Sequence, residues 1–184
     1  MANTNAPFGF RLVKDRTNGG TVEYDLVSTY ATKLGRGDPV SLNGTGRNVA
    51  RSATNVVTQI GVVAGIQYVD TQGQTVWANY WPGNVGYTNV KVLVDPIESG
   101  QQWMVQTDSM SAEDIGALAN FTVADASATL QRSQTVLAVS SPDTTGMTFL
   151  IEGLADIPNN AYGAYAVAVG RFVEGANLSA LGGV

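Results

Sequence analysis

Residues 21–29 alternate, with Val22, Tyr24 and Leu26 set against Glu23 and Asp25. A period of two marks a strand with one buried face. Gly35-Arg36-Gly37-Asp38-Pro39 reads as a turn leading into Val40-Ser41-Leu42. Residues 60–69 and 75–81 flank Asp70-Thr71-Gln72-Gly73-Gln74, a loop of four or five residues in which Gly73 is free to take φ > 0. That is the clearest hairpin in the chain. Residues 90–94, apolar apart from Lys91, form a short run stopped by Asp95-Pro96, and residues 103–106 form another strand. The Ser111…Asp114 spacing resembles a capping box and predicts one short helix over residues 111–118. Further strands are expected at 120–124, 130–140 and 147–154, with Pro158-Asn159-Asn160 breaking the chain before a last one at 164–173.

About ten short strands with one helix predict a mainly β chain, a β-sandwich or barrel. The last strand puts Tyr165, Val167 and Val169 on one face and Ala164, Ala166, Ala168 and Gly170 on the other. Small residues let a second sheet or chain approach closely. At the other end, a polar leader runs into Ala6-Pro7-Phe8-Gly9-Phe10, too aperiodic for a helix or core strand. Pro7 fixes its own φ and pushes Ala6 toward extended geometry. The expected organisation is an extended arm over residues 1–13, one β-rich body over 14–174 and a small, polar tail over 175–184. An arm of this kind is held when it lies on a neighbour, which suggests an assembly subunit before an enzyme.

Composition sharpens that picture. Only 14% of residues are charged, against roughly 25% in an average soluble domain. A sparsely charged surface suits a subunit partly covered by others. The net charge is −5, and the densest basic group is Arg36, Arg47 and Arg51. No basic stripe offers counterion release, so DNA and RNA are not expected as direct partners. There is no signal-peptide pattern and no apolar run near the roughly 20 residues of a membrane helix. The expectation is a soluble chain made in a cytoplasm, with no membrane partner.

Candidate chemistry is thin. Histidine and cysteine are both absent, which removes Ser-His-Asp triads, thiol nucleophiles and the usual zinc ligands. A carboxylate pair of glycosidase type remains, with Asp95/Glu98 and Glu113/Asp114 as the best candidates. Asp95-Pro96 reads better as a strand-end turn, and Glu113/Asp114 as acids complementing a helix N-terminus. Residues 70–73 carry one carboxylate where a calcium loop needs several, and Gly44-Thr45-Gly46 lacks the lysine of a phosphate loop. Arg36-Gly37-Asp38 matches a cell-adhesion tripeptide, but before Pro39 it reads as a plain turn. No catalytic residue, cofactor or metal is expected.

Trp77, Tyr80, Trp81 and Tyr87 lie close together. On one continuous strand Trp77 and Trp81 would share a face while Tyr80 takes the other. Core packing or a subunit interface is the expected role of Trp77, Tyr80 and Trp81; an exposed pair of indoles would instead form a sugar-stacking platform.

Two segments carry a resemblance. Asn5-Ala6-Pro7-Phe8-Gly9-Phe10-Arg11, together with Gly61-Val62-Val63-Ala64-Gly65-Ile66-Gln67-Tyr68 running on to Trp77-Ala78-Asn79-Tyr80-Trp81-Pro82-Gly83, resembles the decoration, or cement, proteins of tailed-bacteriophage heads. The Ile115-Gly116-Ala117 turn and residues 153–160 are also similar. The resemblance implies a homotrimeric β-rich subunit on the outer surface of the capsid. There it would bridge neighbouring copies of the major capsid protein and resist the pressure of packaged DNA. Within that reading Asn5, Pro7, Phe8, Phe10 and Arg11 are the candidate capsid contacts, with Phe8 and Phe10 as anchors. The alternatives are a carbohydrate- or receptor-binding β-module, or another minor head or tail component.

Overall fold

The computed structural model describes residues 3–14, 20–44, 46–54, 58–83, 86–140 and 147–173. The expected tail lies outside the described residues. The chain is mainly β. Its strands are β1 (Arg11–Lys14), β2 (Val22–Asp25), β3 (Leu34–Gly35), β4 (Pro39–Leu42), β5 (Val49–Arg51), β6 (Gln59–Val69), β7 (Thr75–Ala78) and β8 (Tyr80–Trp81). They continue as β9 (Thr88–Pro96), β10 (Gln102–Gln106), β11 (Ser109–Met110), β12 (Leu118–Thr122), β13 (Val136–Ala138), β14 (Phe149–Leu154), β15 (Gly163–Ala164) and β16 (Val167–Phe172).

Two six-stranded antiparallel sheets organise these strands. The first runs β1-β10-β16-β14-β12-β13, and the second runs β2-β9-β6-β4-β5 with β7 also paired to β6. Strands β3-β8 and β11-β15 form two short ribbons. Each large sheet has its own apolar core. Phe10, Trp103, Phe121, Phe149 and Phe172 dominate the first, and Leu34, Ile66, Trp81, Val90, Val92 and Val94 lie in the second.

Strand β6 belongs to both cores. Val62 packs into the first and Val63 into the second, as successive side chains on opposite faces must. Ile66 then returns to the second core, three positions on, which strict alternation forbids. A register shift between Val63 and Gly65 against β9 supplies the extra residue that resets the parity. Strand β9 needs no such device, and Val90, Val92 and Val94 all face one core. At Gly170 the close approach is made by the paired strand of the same sheet: a Cβ there would collide with the Leu150 carbonyl and the Phe149 ring of β14.

Five expectations need correction. The strand expected over 130–140 is only β13, Val136–Ala138, with a turn at 128–131 before it. The helix at 111–118 is one 3-10 turn (Ala112–Asp114), although the Asp114 carboxylate does accept hydrogen bonds from the Ser111 N–H at 2.6 Å and its hydroxyl at 2.9 Å. Leu118 is instead recruited opposite Leu150 in the first sheet, so strand pairing overrides the local cap. Residues 75–81 are two strands, since β7 pairs with β6 and β8 crosses to β3. Strand β9 continues through Asp95-Pro96 rather than stopping before it. Tyr165 lies in a turn before β16 with φ +59, outside the alternation assigned to it.

Candidate functional site

The N-terminal segment lies on its own body. The Asn3 side chain donates to the carbonyls of Ala161 at 2.7 Å and Ala164 at 2.9 Å, and accepts from the Ala161 N–H at 3.1 Å. Gln106 closes the next link: its Oε1 accepts from the Ala6 N–H at 3.0 Å, and its Nε2 donates to the Thr4 carbonyl at 2.9 Å. Gly9, at φ +72, then passes so close to Gly37 and Ser133 that a side chain there would collide with both. The Phe10 N–H donates to the Gly37 carbonyl at 2.9 Å. Phe10 itself is 2% exposed, with its ring centroid 4.8 Å from Phe172, 5.5 Å from Phe149 and 5.6 Å from Phe121.

This overturns the free arm and one of its anchors. Residues 3–13 are not a separable element, because β1 is an edge strand of the first sheet and Phe10 is a core residue of the same chain. Pro7 and Phe8 are half-buried, while Asn5 and Arg11 are exposed. Only the exposed parts of this segment are open to a partner.

The aromatic group divides. Trp81 is fully buried, with its Nε1–H donating to the Tyr30 carbonyl at 2.9 Å, and Tyr80 is buried beside it. Tyr68 and Tyr87 stack at 4.4 Å and meet the Trp81 indole edge-on at 6.1 and 6.0 Å. Trp77 is 64% exposed. It stands opposite Gln67 on the hairpin that the sequence predicts, with Asp70 Oδ1 accepting from the N–H groups of Gln72 and Gln74. A two-indole sugar platform is therefore not formed. Within this group Trp77 is the aromatic placed where a partner can reach it.

Asp38 is a residue whose setting sequence reasoning missed. Its carboxylate is fully buried and accepts from the Gly35 N–H at 2.8 Å, the Ser133 hydroxyl at 2.5 Å and the Thr135 hydroxyl at 3.2 Å. Burial pushes its pKa up to about 6, against the lowering effect of those hydrogen bonds and of Arg51. The tripeptide at 36–38 therefore cannot present its carboxylate to an adhesion receptor. Ser133 and Thr135 lie 95 and 97 positions away, so no local pattern marks this network. Asp108 shows the opposite balance. Burial acts to raise its pKa, but hydrogen bonds from Ser140, Val139 and Ser109 outweigh that and hold it below the usual carboxylate value. Among the described residues no three acidic groups gather as a metal site, and no helix is long and apolar enough to cross a membrane.

Compared with family models, curated proteins and solved structures, the chain matches none.

Proposed function

We infer that this chain is a structural virion protein, a decoration (cement) protein that binds the outer surface of a tailed-phage head and bridges major capsid protein subunits. It acts as a homotrimer and performs no catalysis. The observation that carries the reading is Trp77, an indole 64% exposed on an edge strand of an otherwise well-filled β-body. It lies within the hairpin segment that carries the resemblance to such proteins. Exposed Val13, Leu42 and Leu130 add further apolar surface. An aromatic presented on a rigid strand loses little entropy on docking, and such residues dominate interface energies.

The mechanism is linkage. A ligand that binds only the assembled, expanded shell stabilises that shell by mass action, in proportion to how far its concentration exceeds its Kd. Tying the N-terminal segment to its own body lowers the ordering entropy that a free arm would lose on binding. The test is co-sedimentation of the purified protein with expanded capsids lacking it, alongside capsid melting. Saturable binding with a raised melting temperature supports the assignment. Absence of binding refutes it.

A second reading, a carbohydrate- or receptor-binding module, draws on the same exposed indole. It predicts quenching or a blue shift of Trp77 fluorescence on addition of glycans, with no effect of capsids.

A further inference from the structure

A pocket of about 420 Å³ opens beside the N-terminal segment, lined in part by Arg11, Arg36, Arg132, Phe8, Met104 and Ile157. We propose that it binds an acidic peptide segment of a partner protein, one carrying carboxylates next to an apolar side chain. The proposal rests on the pocket alone and stands whether or not the decoration reading holds.

Three stretches of backbone bring these arginines to one pocket. Arg11 lies on β1 opposite Met104 of β10, while Arg36 and Arg132 face each other across an isolated bridge. The Ser133 N–H donates to the Arg36 carbonyl, and the Arg36 N–H donates to the Asn79 carbonyl. The side chains thus hang from a fixed frame, although the residues are far apart in the sequence.

What the pocket lacks, among the described residues, is a counter-charge. The chain has 15 acidic and 10 basic residues, so cations generally have acids to choose from. Arg51 pairs with Asp125, Lys91 with Glu23 and Asp25, and Arg171 with Glu152. Among the described residues Arg11, Arg36 and Arg132 have no such partner. Arg132 reaches only the Ala6 carbonyl at 3.4 Å, and its Nε is buried without a hydrogen-bond partner. Asp38 is adjacent to Gly37 in sequence, but its carboxylate is buried and occupied by Gly35, Ser133 and Thr135. Like charges gathered without compensation repel, and the planar fork of arginine matches a carboxylate in two parallel hydrogen bonds.

The walls decide the rest of the ligand. Phe8, Met104 and Ile157 offer nothing to an inorganic anion but can seat an apolar side chain, for which methionine is an adaptable surface. The volume falls within the common range of ligand pockets, roughly 300–1,000 Å³. Acidic groups held by arginines, with an apolar neighbour in the same pocket, describe a peptide rather than a free ion.

The test pans a displayed library of random heptapeptides against the full chain, with counter-selection on the R11E/R36E variant. Both side chains are exposed, and circular dichroism and thermal melting check that the variant is folded. The expected result is enrichment of Asp or Glu beside Phe, Leu, Ile or Met. By fluorescence anisotropy, the labelled winners should bind about tenfold more weakly to R11A or R36A, and to the same degree when their acids become amides. Arg47→Ala, outside the pocket, should bind normally. Four outcomes overturn the proposal: no enrichment, enrichment without acids, full binding by R11E/R36E, or inorganic phosphate competing at concentrations equal to the peptide. If instead sedimentation shows a dimer of this chain that R11E/R36E abolishes, with no peptide selected, the pocket serves self-association and the proposal also falls.

Discussion

The N-terminal segment and the β6–β7 hairpin carry similar aromatics in similar polar settings, and the fold treats them oppositely. Phe10 is drawn into the first core among three other phenylalanines, and Gly9 is pressed against Gly37 to let it in. Trp77 stands outward, although Trp81 four positions on fills the second core. Neither outcome is a property of the side chain. Each follows from whether the fold leaves a cavity of the right shape on the face the backbone presents. The segment that looked free to clamp a neighbour is part of the body, and of the aromatics expected in a core or a subunit interface Trp77 is the exposed one.

The contrast can be broken most forcefully at Phe10. Phe10→Ala should cost about 3–5 kcal/mol in urea unfolding, the usual loss for truncating a buried phenylalanine. Deleting residues 1–13 should abolish cooperative folding outright, since it takes Phe10 and most of β1; a deletion variant that unfolds like the parent would restore the free arm.

Asp38 sharpens the comparison where the N-terminal segment docks, next to Gly37. Its pKa is raised from 3.8 to about 6 by burial, so its favourable contribution is present in full below the lower value and lost as pH rises through the upper one. Between those limits the wild type should lose about 3 kcal/mol relative to Asp38→Asn, because each tenfold difference in proton affinity between folded and unfolded chain is worth about 1.4 kcal/mol. Parallel stability–pH curves for the two proteins would contradict that assignment.

Asn3→Ala should cost about 1 kcal/mol and speed amide exchange in residues 3–8, because it removes exposed hydrogen bonds to residues 161 and 164. Unchanged exchange would mean that Gln106 alone holds the segment. Trp77→Ala should change unfolding free energy by no more than about 0.5 kcal/mol, being a surface substitution. A larger loss would place the indole in the body after all.

The parts of this architecture legible in the sequence are those set by local pattern. The alternation of Val22, Tyr24 and Leu26, the valines of β9 and the Asp70–Gln74 turn each follow from neighbours within a few residues. Phe10 is illegible for the opposite reason, since the rings that bury it lie at 121, 149 and 172. Parity from Trp77 to Trp81 fails because the chain leaves β6 for β3 at Asn79, whose carbonyl accepts the Arg36 N–H. The buried network of Asp38 and the arginine pocket join residues from distant stretches, with no motif to announce them. The expected exposed arm was reasonable from Pro7 and the aperiodic leader, yet an isolated apolar residue can be claimed by any core within reach.

The most direct test of the central claim is co-sedimentation of wild type and Trp77→Ala with expanded phage capsids that lack the protein, at matched protein stability. A cement protein docking through its hairpin predicts saturable binding and a raised capsid melting temperature for the wild type, both strongly reduced in the variant. Wild-type protein that leaves the capsids untouched would contradict the decoration role itself, and equal binding by the variant would remove Trp77 from it.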